Sequence, residues 1–397
     1  MRRVAHVAIG LAIVATLGLL YIHEAAHTGV VAFDEPLWFM RSRVTPADLS
    51  TPEYRYWAID IPGVDRWVYY AVLKATGCYD IPPGEKPCWS IIDGCFAING
   101  FTVNAKQAGS KFATIDEWEA EHGRYAPKGG IMVLRTTNVV TFIACLFLMW
   151  LTARMVLKSN WLAAFSVLPL ILSPTFSKDI SFIIGSGDVF MAAALAAVIA
   201  AWTYFHLKGR GTSWVSIFSV SVLAGIATSS KHPGALAVAA FAAYLAWQSR
   251  GWRRVIYPLA ACAISVAVFT ALNPAVIAYP GERPWNVLAL MVKQRGVIIA
   301  QHMGRTPFSA TECFTFFWFP ILPVAVYSLW MSRREPWFPS VGLWALFLTV
   351  GVVTGMTGIR IATDRYLAPL EMGVYFPVSL AMLSLGRRLA AKTEAAG

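Results

Sequence analysis

The run Ile131-Met-Val-Leu-Arg-Thr-Thr-Asn-Val-Val-Thr-Phe-Ile-Ala-Cys-Leu-Phe-Leu-Met-Trp-Leu151 decides the fold class. Its only charge is Arg135, near its start, and the rest is predominantly apolar. Runs of roughly 17 to 25 such residues cross a bilayer as helices, because hydrocarbon offers the backbone no outside partners. Working outward, comparable runs stand at Val4–Ile22, Leu162–Ser173, Val189–Phe205, Trp214–Ala227 and Ala235–Trp247. They continue at Val255–Leu272, Phe314–Trp330, Val341–Met356 and Tyr366–Leu385. The shorter cores need flanking residues to complete a span. The expected architecture is an all-α polytopic membrane protein of about ten transmembrane helices, one integral domain over 1–397.

Composition agrees. Of 397 residues, 57% are hydrophobic and 14% charged, and the mean hydropathy is +0.56, which excludes an ordinary soluble domain. Sixteen tryptophans and fourteen tyrosines suit a protein anchored at two wet interfaces. No A-x-A-like cleavage site follows the first run, so it reads as a retained span.

The net charge of +11 is an orientation signal rather than a nucleic-acid site. One set of loops and ends holds Arg2, Arg3, Arg154, Lys158, Lys208, Arg210, Arg250, Arg253, Arg254, Arg333, Arg334, Arg387, Arg388 and Lys392. Its acids are Glu335 and Glu394. Basic short loops mark the cytoplasm, so both termini are expected there. On the opposite side two long segments stand out, residues 23–130 and 273–313. The first opens with blocks that read as juxtamembrane helices and continues, from Cys78 to Gly130, as a small solvent-facing subdomain. There Thr114-Ile-Asp-Glu117 has the pattern of a capping box. The second segment contains an amphipathic stretch at Trp285–Gln301 that reads as a further surface helix.

Cys78, Cys88, Cys95 and Cys313 fall on the outer side, where one or two disulfides are expected without a pairing fixed by sequence. No Asn-x-Ser/Thr acceptor occurs, in keeping with a bacterial inner membrane. Cys88 and Cys95 are too far apart for a zinc knuckle and have no histidine cluster beside them, so no metal is expected.

Charged groups at membrane depth are costly and tend to be functional or paired. Asp188, Lys231, His232, Arg135, Arg360, Asp364 and Arg365 all fall at the outer ends of runs. Interfacial snorkelling would account for a lone Lys or Arg, but less readily for the short side chain of Asp188. Just beyond the first run stands Phe33-Asp34-Glu35-Pro36-Leu37-Trp38-Phe39. Carboxylates pressed against apolar rings are poorly solvated and suit proton abstraction, although Asp34 would equally serve as the N-cap of an interfacial helix. Carboxylates on one wall and cations on another suit displacement of a phosphate at an anomeric carbon. Cations compensate the leaving phosphate and a carboxylate deprotonates the attacking hydroxyl. Phosphate-cradling glycine loops and nucleophile–His–Asp signatures are absent, and no cofactor is expected.

These residues, in this order, resemble the GT-C superfamily of membrane glycosyltransferases, in the protein O-mannosyltransferase and aminoarabinose-transferase branch. The resemblance rests on Asp34-Glu35 opening the first outer loop and on Asp60-Ile-Pro-Gly-Val-Asp-Arg-Trp-Val-Tyr-Tyr70. Arg135-Thr-Thr-Asn138, Asp188, Ser229-Ser-Lys-His232, Asn273-Pro274 and Arg365-Tyr-Leu-Ala-Pro369 complete it. It implies an inverting transfer of a sugar from a polyprenyl-phosphate donor to a hydroxyl of a lipid, glycan or protein at the periplasmic face. Asp34 is then the base, with Glu35 and Asp188 placing the acceptor. Lys231, Arg365 and Arg295 are candidates for the donor phosphate. Arg66 joins them, because Ile61-Pro62-Gly63 stands where the family has a double proline preceded by a cation. Asp60, His232 and His302 are candidate substrate contacts. The competing reading is a transporter or flippase of lipid-linked sugars. It would favour polar groups at the bilayer midplane and repeated halves, and neither pattern is found here.

Overall fold

A computed structural model describes residues 19–20, 63–78, 90–92, 95–98, 101–104, 129–172, 188–273, 283, 286, 289, 321–358 and 368–396. In chain order the elements are α1 (Gly63–Ala75), β1 (Ser90–Ile92), β2 (Cys95–Ile98), β3 (Phe101–Asn104), α2 (Gly130–Leu157) and α3 (Asn160–Leu172). There follow α4 (Asp188–Leu207), α5 (Trp214–Ser230), a 3-10 turn (His232–Gly234), α6 (Ala235–Gln248), α7 (Arg253–Leu272), α8 (Ile321–Ser332), α9 (Phe338–Gly358) and α10 (Ala368–Ala396). A helix stands over every predicted apolar run except the first, of which Leu19 and Leu20 alone are described. Among the described residues, Met132–Leu157, Asp188–Leu207 and Arg253–Leu272 are long and apolar enough to cross a membrane. Asn160–Leu172, Trp214–Ser230 and Phe338–Gly351 are shorter apolar helices.

The chain divides into two compact units. The first comprises 1–143, 180–189 and 273–291, and so holds α1, the sheet and the first part of α2. α1 buries Asp65, Arg66, Tyr69 and Leu73 on one face and exposes Ala71 and Lys74. The strands form an antiparallel sheet in the order β1-β2-β3. Ile92 pairs with Cys95 and Ile98 with Phe101. The two residues between each pair are Asp93-Gly94 and Asn99-Gly100, dipeptides that favour the left-handed turns required by two-residue hairpins. The stretch read from sequence as a small subdomain, Cys78 to Gly130, therefore carries a sheet, and the all-α expectation is corrected there. Cys78 is buried and free, with its Sγ 3.8 Å from the Thr76 carbonyl oxygen, while the side chains of Cys88, Cys95 and Cys313, the other cysteines among which one or two disulfides were expected, lie outside the described residues.

The second unit, 144–179, 190–272 and 292–397, is a helix bundle. Lipid supplies no hydrophobic drive between helices, so close backbone approach and hydrogen bonds must hold them. α5 and α7 run parallel, Trp214 meeting Tyr257 edge to face and the Ser265 hydroxyl donating to the Ser221 carbonyl at 2.9 Å. A Cβ at Gly225 would lie 2.8 Å from the Ser265 carbonyl oxygen, so only a glycine admits that approach. Between α6 and α9, a side chain at Gly351 would overlap Leu236. Trp202 of α4 packs edge to face on Phe241 and Tyr244 of α6 in the buried centre. His206 then ties three segments together, with Nδ1 2.8 Å from the Tyr244 hydroxyl and Nε2 2.7 Å from the Pro336 carbonyl. The carbonyl can only accept, so Nε2 carries a proton, and in the neutral ring Nδ1 then accepts from the Tyr244 hydroxyl. At the same end of the bundle Arg388 pairs with Glu335 at 2.6 Å, and Arg387 donates to the Leu157 carbonyl that ends α2.

Candidate functional site

In the first unit α1 meets the start of α2 through Tyr69 and Asn138. Gly63-Val-Asp-Arg-Trp-Val-Tyr forms a helix with Asp65 in its first turn, where the dipole favours an acid. Spacing by three or four residues then puts Asp65, Arg66 and Tyr69 on the buried face. The Tyr69 hydroxyl donates to Asn138 Oδ1 at 2.6 Å, wholly out of solvent. Arg135 lies one turn before Asn138 on α2, and both are 1% exposed. A buried guanidinium needs compensation, and Arg135, Asp65 and Arg66 all engage partners. Asp188, 5% exposed, opens α4, and Asn273, 4% exposed, follows the end of α7; both are likewise engaged. Loss of the Tyr69 bond has a definite expected result. Tyr69→Phe removes a buried donor and leaves the Asn138 oxygen without it, costing about 1–3 kcal/mol. A lowered unfolding midpoint in detergent, at unchanged expression, is the measurement.

In the second unit the Ser229-Ser-Lys-His232 turn is built from a helix that stops. Lys231 leaves α5 in an extended conformation, φ −162° and ψ 145°, while its N–H still bonds the Ala227 carbonyl at 3.1 Å. Pro233 then rules out continuation of the helix and shapes the 3-10 turn. Ser229 and Ser230 are buried, Lys231 is half-buried and His232 exposed, and both Lys231 and His232 make further contacts. Gly234 lets this turn fold back onto α5, since a Cβ there would lie 2.6 Å from the Thr228 nitrogen and closer still to the Ala227 carbonyl. Glu371, 4% exposed and engaged, opens α10 in the same unit.

Of the residues singled out from sequence, Arg66, Asp188, Lys231 and His232 are thus located. Asp34, Glu35, Asp60, Arg295, His302 and Arg365 lie outside the described residues, as do the capping box and most of Trp285–Gln301. Sequence reasoning passed over Asp65, Tyr69 and Glu371 as site residues. Asp65 and Tyr69 carried a signal, because their spacing of four places a carboxylate and a phenol on one helix face. Among the described residues no group of three or more His, Cys, Asp or Glu is placed to hold a metal ion.

Comparison with known proteins bears on the same stretch. Residues 128–275 match the family model of dolichyl-phosphate-mannose-protein mannosyltransferase. No relative was found among curated protein sequences. The crystal structure of ArnT from Cupriavidus metallidurans bound to undecaprenyl phosphate is similar in fold, with TM-score 0.50 and 16% identity. The alignment covers 97% of this chain and 63% of ArnT, so the chain spans under two thirds of that protein. The apo oligosaccharyltransferase of Archaeoglobus fulgidus aligns at TM-score 0.42 and 13% identity, over 96% of this chain and 52% of its own. Residues 128–275, under half of the chain, thus carry the likeness to the mannosyltransferase family, and the fold is like that of ArnT.

Proposed function

We propose that the protein is an inverting glycosyltransferase that moves a sugar from a polyprenyl-phosphate donor to a hydroxyl acceptor at the periplasmic face of a bacterial inner membrane. The observation that carries this reading is the match over 128–275, which contains the buried Arg135, Asn138, Asp188 and Asn273 together with the Lys231 turn. The capture of undecaprenyl phosphate by ArnT supports a lipid phosphate as the donor's carrier. In the proposed reaction Asp34 takes the proton of the acceptor hydroxyl as its oxygen attacks the anomeric carbon. The bond from that carbon to the phosphate oxygen breaks on the opposite side and leaves a polyprenyl phosphate. Lys231, Arg365, Arg66 and Arg295 compensate its charge. Glu35 and Asp188 place the acceptor, and Asp60, His232 and His302 contact the substrate. About ten spans with both termini in the cytoplasm would put these residues on the outer face.

Membrane vesicles supplied with a polyprenyl-phosphate sugar and a hydroxyl acceptor test this directly. A new glycosidic bond of inverted configuration, with release of polyprenyl phosphate, is the expected result. Movement of the intact donor across the bilayer without bond cleavage would make the protein a flippase instead. Because side-chain cations suffice to neutralise the leaving group, transfer is expected to persist in excess chelator. Loss of activity there, restored by a divalent ion, would show that a metal does this work.

A further inference from the structure

We propose that the end of the second unit where α5 and α7 begin is a binding site for the head group of an anionic phospholipid. Trp214 opens α5 and packs edge to face on Tyr257 of α7, with ring centroids 5.1 Å apart. The Arg253 guanidinium lies 6.0 Å from the centroids of both Tyr257 and Trp252. Trp252 and Trp214 are 65% and 55% exposed, and below them the outward face of the same two helices is Phe218, Val255 and Leu259, also exposed. A rim of amphipathic rings above an apolar helix face is the arrangement found where a protein meets lipid head groups and acyl chains together.

The charge at this end is one-sided. Arg250, Arg253 and Arg254 are exposed, as are Lys208 and Arg210 on the turn before α5, where the Ser213 N–H bonds the Arg210 carbonyl at 3.0 Å. No Asp or Glu occurs between Asp188 and Glu282. Glu335, an acid elsewhere in the unit, is already held by Arg388 at 2.6 Å. Among the described residues none of the three arginines pairs with an acid. Arg254 instead donates Nε–H to the Ser249 carbonyl at 2.9 Å, which directs its guanidinium back over the end of α6. Rings hold Arg253 and a carbonyl holds Arg254, so two guanidiniums are fixed beside a lipid-facing surface. That favours a phosphodiester that brings its own acyl chains over a freely diffusing anion.

The test uses the full-length protein in nanodiscs of phosphatidylcholine with and without phosphatidylglycerol, followed by native mass spectrometry of the lipids retained. Phosphatidylglycerol is expected to be kept in preference by about tenfold, the preference falling to about twofold in Arg253→Gln and in Arg254→Gln taken singly. Trp252→Ala, which leaves the charge intact, is expected to weaken retention as well, because the ring that positions Arg253 is gone. Equal retention of the two lipids by the unaltered protein would overturn the proposal. So would an unchanged preference in the arginine variants, indifference to Trp252→Ala, or displacement of the lipid by inorganic phosphate.

Discussion

Asp34→Asn is expected to abolish sugar transfer, lowering the rate by about a thousandfold or more, while the protein still inserts and accumulates normally. The amide matches the carboxylate in shape and can still accept a hydrogen bond, so a capping role would survive. What it cannot do is take up a proton at neutral pH. General-base assistance is typically worth 10²–10⁴-fold, and a hydroxyl attacking a carbon that is losing a phosphate relies on it. Vesicles with a polyprenyl-phosphate sugar give the rate, and immunoblotting of the membrane fraction gives the abundance. Near-normal transfer in this variant would remove Asp34 from the chemistry and leave it as a helix cap. A matched Glu35→Gln variant separates the neighbours, since a residue that only places the acceptor should raise KM more than it lowers kcat.

Gly234→Ala is expected to be the most damaging small substitution in the second unit. The new methyl would meet the Ala227 carbonyl and, at 2.6 Å, the Thr228 nitrogen. Both belong to the backbone of α5, which cannot rotate away as a flexible side chain could. Overpacking of this kind costs about 1–3 kcal/mol and more where nothing yields. The backbone angles of Gly234, φ −57° and ψ −25°, suit any residue, so crowding alone is responsible. Any relief must come from opening the turn that carries Lys231. The unfolding midpoint in detergent should fall, and whatever folded protein remains should bind polyprenyl phosphate more weakly. A variant as stable as the parent would show that the turn and α5 separate freely.

The apolar runs were legible because hydrocarbon demands unbroken apolarity over a fixed length, a demand independent of neighbouring helices. Arg135 was legible for the same reason, being a charge where lipid tolerates few, whereas Asn138 was marked only by the family resemblance. The sheet was not foreseen: glycine, proline and lysine content marked 78–130 as a loop-like subdomain. Yet Asp93-Gly94 and Asn99-Gly100, each between short apolar segments, are strong hairpin signals. α1 misleads in the other direction. An amphipathic reading turns charges outward, whereas here Asp65 and Arg66 are buried and Ala71 faces out. On the same buried face Tyr69 finds its partner, Asn138, 69 residues away, which no local pattern reveals. Gly225 and Gly234 were silent for a similar reason, since a glycine required by a neighbour's backbone looks like any other until that neighbour is in place.

Arg387 reaches back across 230 residues to the carbonyl that ends α2, and Arg388 beside it holds Glu335. These two arginines leave the ribosome after the whole of α1 to α9. Earlier helices must therefore wait in the insertion machinery with the last carbonyl of α2 and the Glu335 side chain unclaimed. Replacing both arginines by alanine would spare every described helix yet withhold the clasp, and quality-control proteases should find such a chain long before any assay does.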